Sequence, residues 1–262
     1  MRPIIVELAG APGTGKSTLV DAVCGALTDR GLIARERQAA RAVCLARTGR
    51  SARAAIALAA MRFFVRHAPL AAASLRALAT SRTSRAERLR ALKLFVRDGA
   101  HHELFRTELR DGEAAVFPEG LVQRLVMLGV RRGGDLPAPG VVGSYVEALP
   151  AVDLVLLLTA PLDVCAARLE HRRLPLRIAH LDGEGRRRFV AAATELLAGV
   201  TDTLHAGRIP VVRVNTAASL TTTRAMLRSA LRAGVTIPGQ AARLGVNADV
   251  AVGPTDAIEA AT

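Results

Sequence analysis

Gly10-Ala11-Pro12-Gly13-Thr14-Gly15-Lys16-Ser17 is the stretch that decides the fold. It matches G-x-x-x-x-G-K-[S/T], a pattern that means something only between a strand and a helix. Residues 3–9 read as one continuous apolar strand, and a helix is expected from Lys16 to about Asp29. In that setting the glycines let backbone N–H groups turn inward around phosphate oxygens, and the helix N-terminus adds partial positive charge. The cradle is then Gly10, Ala11, Pro12, Gly13, Thr14, Gly15, Lys16, Ser17 and Thr18. Lys16 is placed to reach the β- and γ-phosphates, the Ser17 hydroxyl to ligate Mg²⁺, and Thr18 to face the α-phosphate.

Working outward, further apolar strands are expected at 32–35, 114–117, 152–158 and 209–214. Helices are expected at 121–130, 144–149, 162–171, 185–205 and 221–233, with a Gly/Pro-rich loop at 131–143. Strands alternating with helices predict an α/β three-layer sandwich around a five-stranded parallel sheet. A helical insertion, about 41–111, falls between the second and third strands. Its first part, 53–80, breaks near Pro69. Its second, 84–111, starts at the N-cap candidate Ser84 and carries Leu89, Leu92, Phe95 and Val96 at helical spacing. One domain over 1–237 is expected, with 238–262 as a flexible tail lacking periodicity.

The chain carries 36 Lys+Arg against 23 acids, a net charge of +13. Between Arg30 and Arg110 lie 18 of the cations and five acids, so this segment alone accounts for the whole excess. Two readings stand: solvated helix faces, or attraction to an anionic substrate, a membrane surface or nucleic acid. With six Phe, one Tyr and no Trp, the chain has few rings for bases to stack on, and no specific nucleic-acid motif is present. Cys24, Cys44 and Cys165 form no C-x-x-C pair and suit a reducing compartment. The first nine residues show no signal-peptide pattern, and no run reaches the ~18 apolar residues of a spanning helix, so a cytoplasmic protein is expected. After Val214 comes Asn215-Thr216-Ala217-Ala218 in place of a guanine-reading Asn-Lys-x-Asp, and Asp182-Gly183-Glu184-Gly185 reads as a turn.

Two more stretches extend the pattern. Phe117-Pro118-Glu119-Gly120 has Gln123-Arg124 beyond it. Val152-Asp153-Leu154-Val155-Leu156-Leu157-Leu158-Thr159-Ala160-Pro161 leads to Cys165-Ala166-Ala167-Arg168-Leu169-Glu170-His171-Arg172-Arg173. With the cradle, these make residues 2–233 resemble the P-loop kinase superfamily that includes thymidylate, adenylate and deoxynucleoside kinases. The resemblance implies ATP and Mg²⁺ as cofactors and a kinase-type phosphotransfer to a small acceptor, for which the excess positive charge allows an anion. It implies Glu119 as the acid that holds Mg²⁺ through water together with Ser17, although Pro118 stands where a further acid or polar residue often sits. It implies Arg124 as a contact to the acceptor's anionic group, and Glu36 as a carboxylate near an acceptor hydroxyl. Arg168 and Arg172, with Arg173 and Arg177, would open a lid over about 168–187. The catalytic set is thus Lys16, Glu119, Arg168 and Arg172. Two alternatives remain: a nucleotide-dependent NTPase or regulatory protein that contacts a partner through the basic helices, and a membrane-surface protein using Phe63, Phe64 and nearby arginines.

Overall fold

The structure is a computed structural model that describes residues 2–80, 84–130, 134–170, 178–206 and 209–234. Its centre is a five-stranded sheet of β1 (Ile4–Gly10), β2 (Ile33–Glu36), β3 (Glu113–Phe117), β4 (Leu154–Thr159) and β5 (Val211–Asn215), ordered β2-β3-β1-β4-β5. Every pairing is parallel, with Ile4 opposite Ala114 and Val6 opposite Leu154. The expected α/β sandwich is what the chain forms. All seven residues of β1 are buried, as a strand covered on both faces requires.

Helices cover the two faces. On one, α1 (Lys16–Thr28) and the last helix, α10 (Leu220–Gly234), pack Leu19, Val23, Leu27, Leu227 and Leu231 against Ile4, Val6 and Leu8. On the other, Ile5, Ala9, Phe117 and Val155 meet a larger cluster. That cluster is built by α5 (Arg85–Glu108), α6 (Leu121–Gly129), α7 (Pro139–Glu147), α8 (Leu162–Glu170) and α9 (Gly183–Ala206). The insertion supplies α2 (Arg37–Arg47), α3 (Ala52–Arg66), α4 (Ala68–Thr80) and α5.

The structure moves several expected features. The helical insertion starts at Arg37, directly after β2, and not near 41. The break between α3 and α4 is at His67; Pro69 sits in the first turn of α4, where a missing N–H costs nothing. Ser84 does cap α5, with a reciprocal bond from Glu87. Residues 139–147, expected as part loop, are one helix with Pro139 at its start. Asp182 accepts a hydrogen bond from the Gly185 N–H at 2.6 Å at the start of α9, so the D-x-x-G is a helix entry.

Two apolar expectations also change. Phe63 is fully buried, edge-to-face on Phe95 at a centroid distance of 5.9 Å, and a Cβ on Gly99 would lie 2.4 Å from its ring. It packs α3 onto α5 and is unavailable to a membrane; Phe64 is half-buried. On α5 the buried stripe is Ala91, Phe95 and the run 98–105, while Leu89 is 51% exposed and Leu92 and Val96 are half-buried. Among the described residues no single helix is long and apolar enough to cross a membrane. The tail at 238–262 and Arg172, Arg173 and Arg177 lie outside the described residues.

Candidate active site at the phosphate loop

The loop between β1 and α1 has the shape its sequence demands. Gly13 and Gly15 adopt φ of 92° and 86°, the left-handed region that side chains disfavour. A Cβ on Gly13 would also lie 2.6 Å from the Cys165 carbonyl oxygen, so α8 closes against the loop here. Thr14 Oγ1 donates to the Ala11 carbonyl at 2.9 Å, and the Thr216 hydroxyl donates to the Thr14 carbonyl at 3.0 Å. Lys16 Nζ donates to the carbonyls of Gly10 and Ala11 at 2.6 and 3.2 Å.

The strand that ends in this loop carries an acid. Glu7 interrupts the apolar run of β1, is 1% exposed, and accepts hydrogen bonds from the backbone N–H groups of Leu121 and Val122, both at 2.9 Å. It therefore occupies the N-terminus of α6, where two orphan donors and the helix dipole favour an anion. Gly120 is required by this approach, since a Cβ there would lie 2.1 Å from the Glu7 carboxyl carbon. Burial nevertheless outweighs those hydrogen bonds and pushes the carboxyl up to about 7. Gln123, one turn into α6, accepts the Gly10 N–H at 2.9 Å, so the loop and α6 are joined twice over.

From α6 and the turn before it, charged groups face the loop. Asp98 on α5 is fully buried and accepts from Arg124 Nε at 2.5 Å, Arg97 Nε at 3.0 Å and Arg37 Nη1 at 3.3 Å. Arg124 Nη2 also reaches Glu119 Oε2 at 3.4 Å, and Arg37 Nη1 donates to the Glu119 carbonyl at 3.2 Å. The side chains of Arg124 and Arg37 are only 3% and 11% exposed. Holding two such guanidiniums on one buried carboxylate leaves positive charge in excess, and Arg37 Nε is buried with no acceptor among the described residues. A buried donor left without a partner costs about 1–3 kcal/mol.

A cleft of about 270 Å³ brings Lys16, Ser17, Arg37, Glu119 and Gln123 together with Ile178 and Phe189. The Ser17 hydroxyl and the half-exposed Glu119 carboxylate are hard oxygen donors, the type Mg²⁺ takes while keeping waters and binding phosphate oxygens. These residues fit that ion. A second cleft of about 290 Å³ lies against Gly13, Thr18, Arg168, Thr216 and Leu220. Arg168 donates there to the Thr216 carbonyl at 2.6 Å and to the Gly13 carbonyl at 3.4 Å.

The sequence-named residues thus divide into groups. Gly10 to Thr18, Glu119 and Arg124 gather around the loop and its neighbouring cleft, and Arg168 lies beside Gly13 and Thr216. Glu36 is half-buried at the end of β2, where it adds to burial and Asp21 in pushing the Cys24 thiol up, and is not among the residues lining either cleft. Its neighbour Arg37 lines the cleft instead. Sequence reading overlooked Glu7, Arg37 and Asp98. Their signals were there: an acid inside an apolar strand, an arginine abutting the strand end, and one of few acids in a basic helix.

No family model and no curated protein matches the chain. Among solved structures it is similar to a deoxyadenosine kinase from M. mycoides with bound dCTP, at 9% identity and a TM-score of 0.47. That match covers 87% of this chain and 99% of the other. It is also similar to the M. mycoides deoxyadenosine kinase with dCMP and dCDP bound, at 12% identity and a TM-score of 0.43, over 87% of this chain and 98% of that one.

Proposed function

We propose that this chain is an ATP- and Mg²⁺-dependent phosphotransferase of the nucleoside- and nucleotide-kinase type, and that its acceptor is a small anion. The carrying observation is that the loop at residues 12–17, Arg37 and Glu119 line one cleft, with the buried Arg37 donating to the Glu119 carbonyl and the buried Arg124 to its carboxylate. Loop N–H groups and Lys16 hold the β- and γ-phosphates, and Lys16 exchanges its carbonyl partners for phosphate oxygens. Mg²⁺, when bound near Ser17 and Glu119, supplies charge neutralisation on the phosphates.

The acceptor's anionic group meets Arg37, whose Nε lacks a partner among the described residues, and Arg124, fixed by Asp98. Planar guanidiniums in fixed orientation suit phosphate or carboxylate oxygens better than hydroxyls. A phosphate acceptor also attacks without losing a proton, so the chemistry does not call on Glu36, which does not line the cleft. Ile178 and Phe189 give the cleft an apolar wall that helps exclude water.

The test is ADP release measured against a panel of phosphorylated and unphosphorylated acceptors, with Lys16→Ala as control. Acceptor-dependent ADP formation that falls on the order of 10²-fold or more in the variant supports the reading. ATP hydrolysis at one rate whatever the acceptor would refute phosphotransfer, and identical turnover by a folded Lys16→Ala would refute the loop's role.

A further inference from the structure

The arginine cluster does not end at the cleft. Arg97, which shares Asp98 Oδ1 with Arg37, also lines a separate groove of about 710 Å³. Arg41, one turn along α2 from Arg37, lines it too. The groove runs between α3 and α5, with Ile56, Ala60, Leu92 and Val96 among its apolar lining and Leu89 51% exposed at its side. Small residues on α3, Ala52, Ala57 and Ala60, leave room beside α5. Arg41, Arg53, Lys93 and Arg97 line it as well, and among the described residues no acid does.

An apolar groove lined by cations, one of which, Arg97, also holds Asp98 beside Arg37, selects one kind of occupant. A free nucleotide or sugar phosphate would satisfy the cations and leave the apolar lining wet. A neutral lipid would cover the lining and leave the cations unused. We propose that the groove holds the apolar chain of the acceptor, a single-chain phosphate monoester whose head group passes Arg41 and Arg97 to reach Arg37 at the cleft. This rests on the phosphotransferase reading above. In the step implied, an oxygen of the acceptor phosphate attacks the γ-phosphorus of ATP. The bond from that phosphorus to the β,γ-bridging oxygen breaks, ADP leaves with the electron pair, and the chain-bearing diphosphate forms. A dianionic acceptor has no proton to lose in this step.

The test separates binding from turnover. Butyl, octyl and dodecyl phosphate, each below its micelle-forming concentration, are titrated calorimetrically into the full chain without nucleotide. Dodecyl maltoside and inorganic phosphate serve as controls. Affinity is expected to rise at least tenfold from butyl to dodecyl phosphate, and the maltoside and inorganic phosphate to bind at least tenfold more weakly. Leu89→Asp with Ala57→Asp should abolish the chain-length dependence. Arg53→Gln with Lys93→Gln, both at exposed positions, should weaken dodecyl phosphate several-fold should the first pair fail the circular-dichroism check for folding. With ATP and Mg²⁺ present, dodecyl phosphate should drive ADP release in the parent, with a raised KM in the groove variants.

Affinity independent of chain length, or indifferent to the groove substitutions, overturns the proposal. So does binding to phosphatidylglycerol vesicles without binding to monomeric alkyl phosphate, which would make the groove a membrane-facing surface. A dimer that the groove variants convert to monomer, with no amphiphile bound, would make it a self-interface. Groove-dependent binding without ADP release refutes the acceptor role alone. If no acceptor of any kind supports ADP release, the phosphotransferase reading falls while the nucleotide-free titration still judges the groove.

Discussion

Replacing Glu7 by Gln should change the way stability depends on pH, by an amount the structure sets. Glu7 is buried under the N-terminus of α6 with its carboxyl raised from 4.5 to about 7, burial being the main cause and Asp98 adding to it. A carboxyl raised on folding binds its proton more tightly in the native state. Its contribution to stability is therefore fully present below the unfolded value of 4.5 and is lost as pH rises through the folded value of about 7. Most of that shift is crossed between pH 5 and pH 8, so this one group should remove between about 2 and 3 kcal/mol over that interval.

Gln cannot titrate. The difference in unfolding free energy between parent and Glu7→Gln should thus move by that amount, in the parent's disfavour, from pH 5 to pH 8. Taking the difference cancels groups common to both proteins, such as Glu113, which the Arg47 guanidinium chiefly holds down at about 2. Urea titrations at pH 5, 6, 7 and 8 read it directly, as a change of about 1 M in the separation of midpoints at ordinary m-values. At every pH the Gln side chain places an amide N–H₂ against one of two backbone donors, which adds a constant offset and leaves the slope alone. A difference that stays flat across the range would show that the α6 N–H groups and dipole stabilise the carboxylate as well as water does. A difference of opposite slope would show that they overcompensate burial.

Two further changes bear on the charged cluster. Asp98→Asn should destabilise the fold by about 3–5 kcal/mol, because it leaves the buried Arg124 and Arg37 with only the half-exposed Glu119 nearby as counter-charge, and denaturant unfolding checks this. A loss below about 1 kcal/mol would mean that water or Glu119 already screens the two guanidiniums. Glu119→Gln should lower turnover at saturating ATP by about 10²-fold and shift the Mg²⁺ titration to higher concentration, with little change in stability since the side chain is half-exposed. A Mg²⁺ titration that overlays the parent's would leave Glu119 as an anchor for Arg124 and nothing more.

The sheet and the phosphate loop were legible because each rests on a local rule. A run of apolar residues closed by Gly10 and reopened at Lys16 has one low-energy way to sit in a parallel sheet, and the two left-handed glycines fix the turn. The charged cluster beside the cleft was not legible, because it is assembled from four separate places in the chain. Arg37 follows β2, Asp98 sits late in α5, Glu119 closes β3, and Arg124 lies on α6; no spacing in the sequence announces that they meet. Reading residues 3–9 as uniformly apolar hid Glu7, whose partners are 114 and 115 residues away.

The excess charge of the insertion, which the sequence could only locate, separates in the structure into two populations with different work. Arg37, Arg47, Arg66 and Arg97 turn onto the buried acids Asp98, Glu113 and Glu103 and fix the insertion to the sheet and to itself. Such pairs consume charge locally and contribute little field outside the protein. Arg53, Lys93, Arg88 and Arg90 stay exposed on α3 and α5, with no ion pair shown among the described residues. These supply the field an approaching anion meets first, screened over ~8 Å at physiological salt. The same insertion that carries the basicity also provides Asp98, the carboxylate that holds Arg124 in place. On the proposed reading, the insertion supplies Arg37 and Asp98 to the acceptor's site while Glu119 and Arg124 come from beyond it, so variation in the insertion should alter acceptor choice and leave the loop at residues 10–18 untouched.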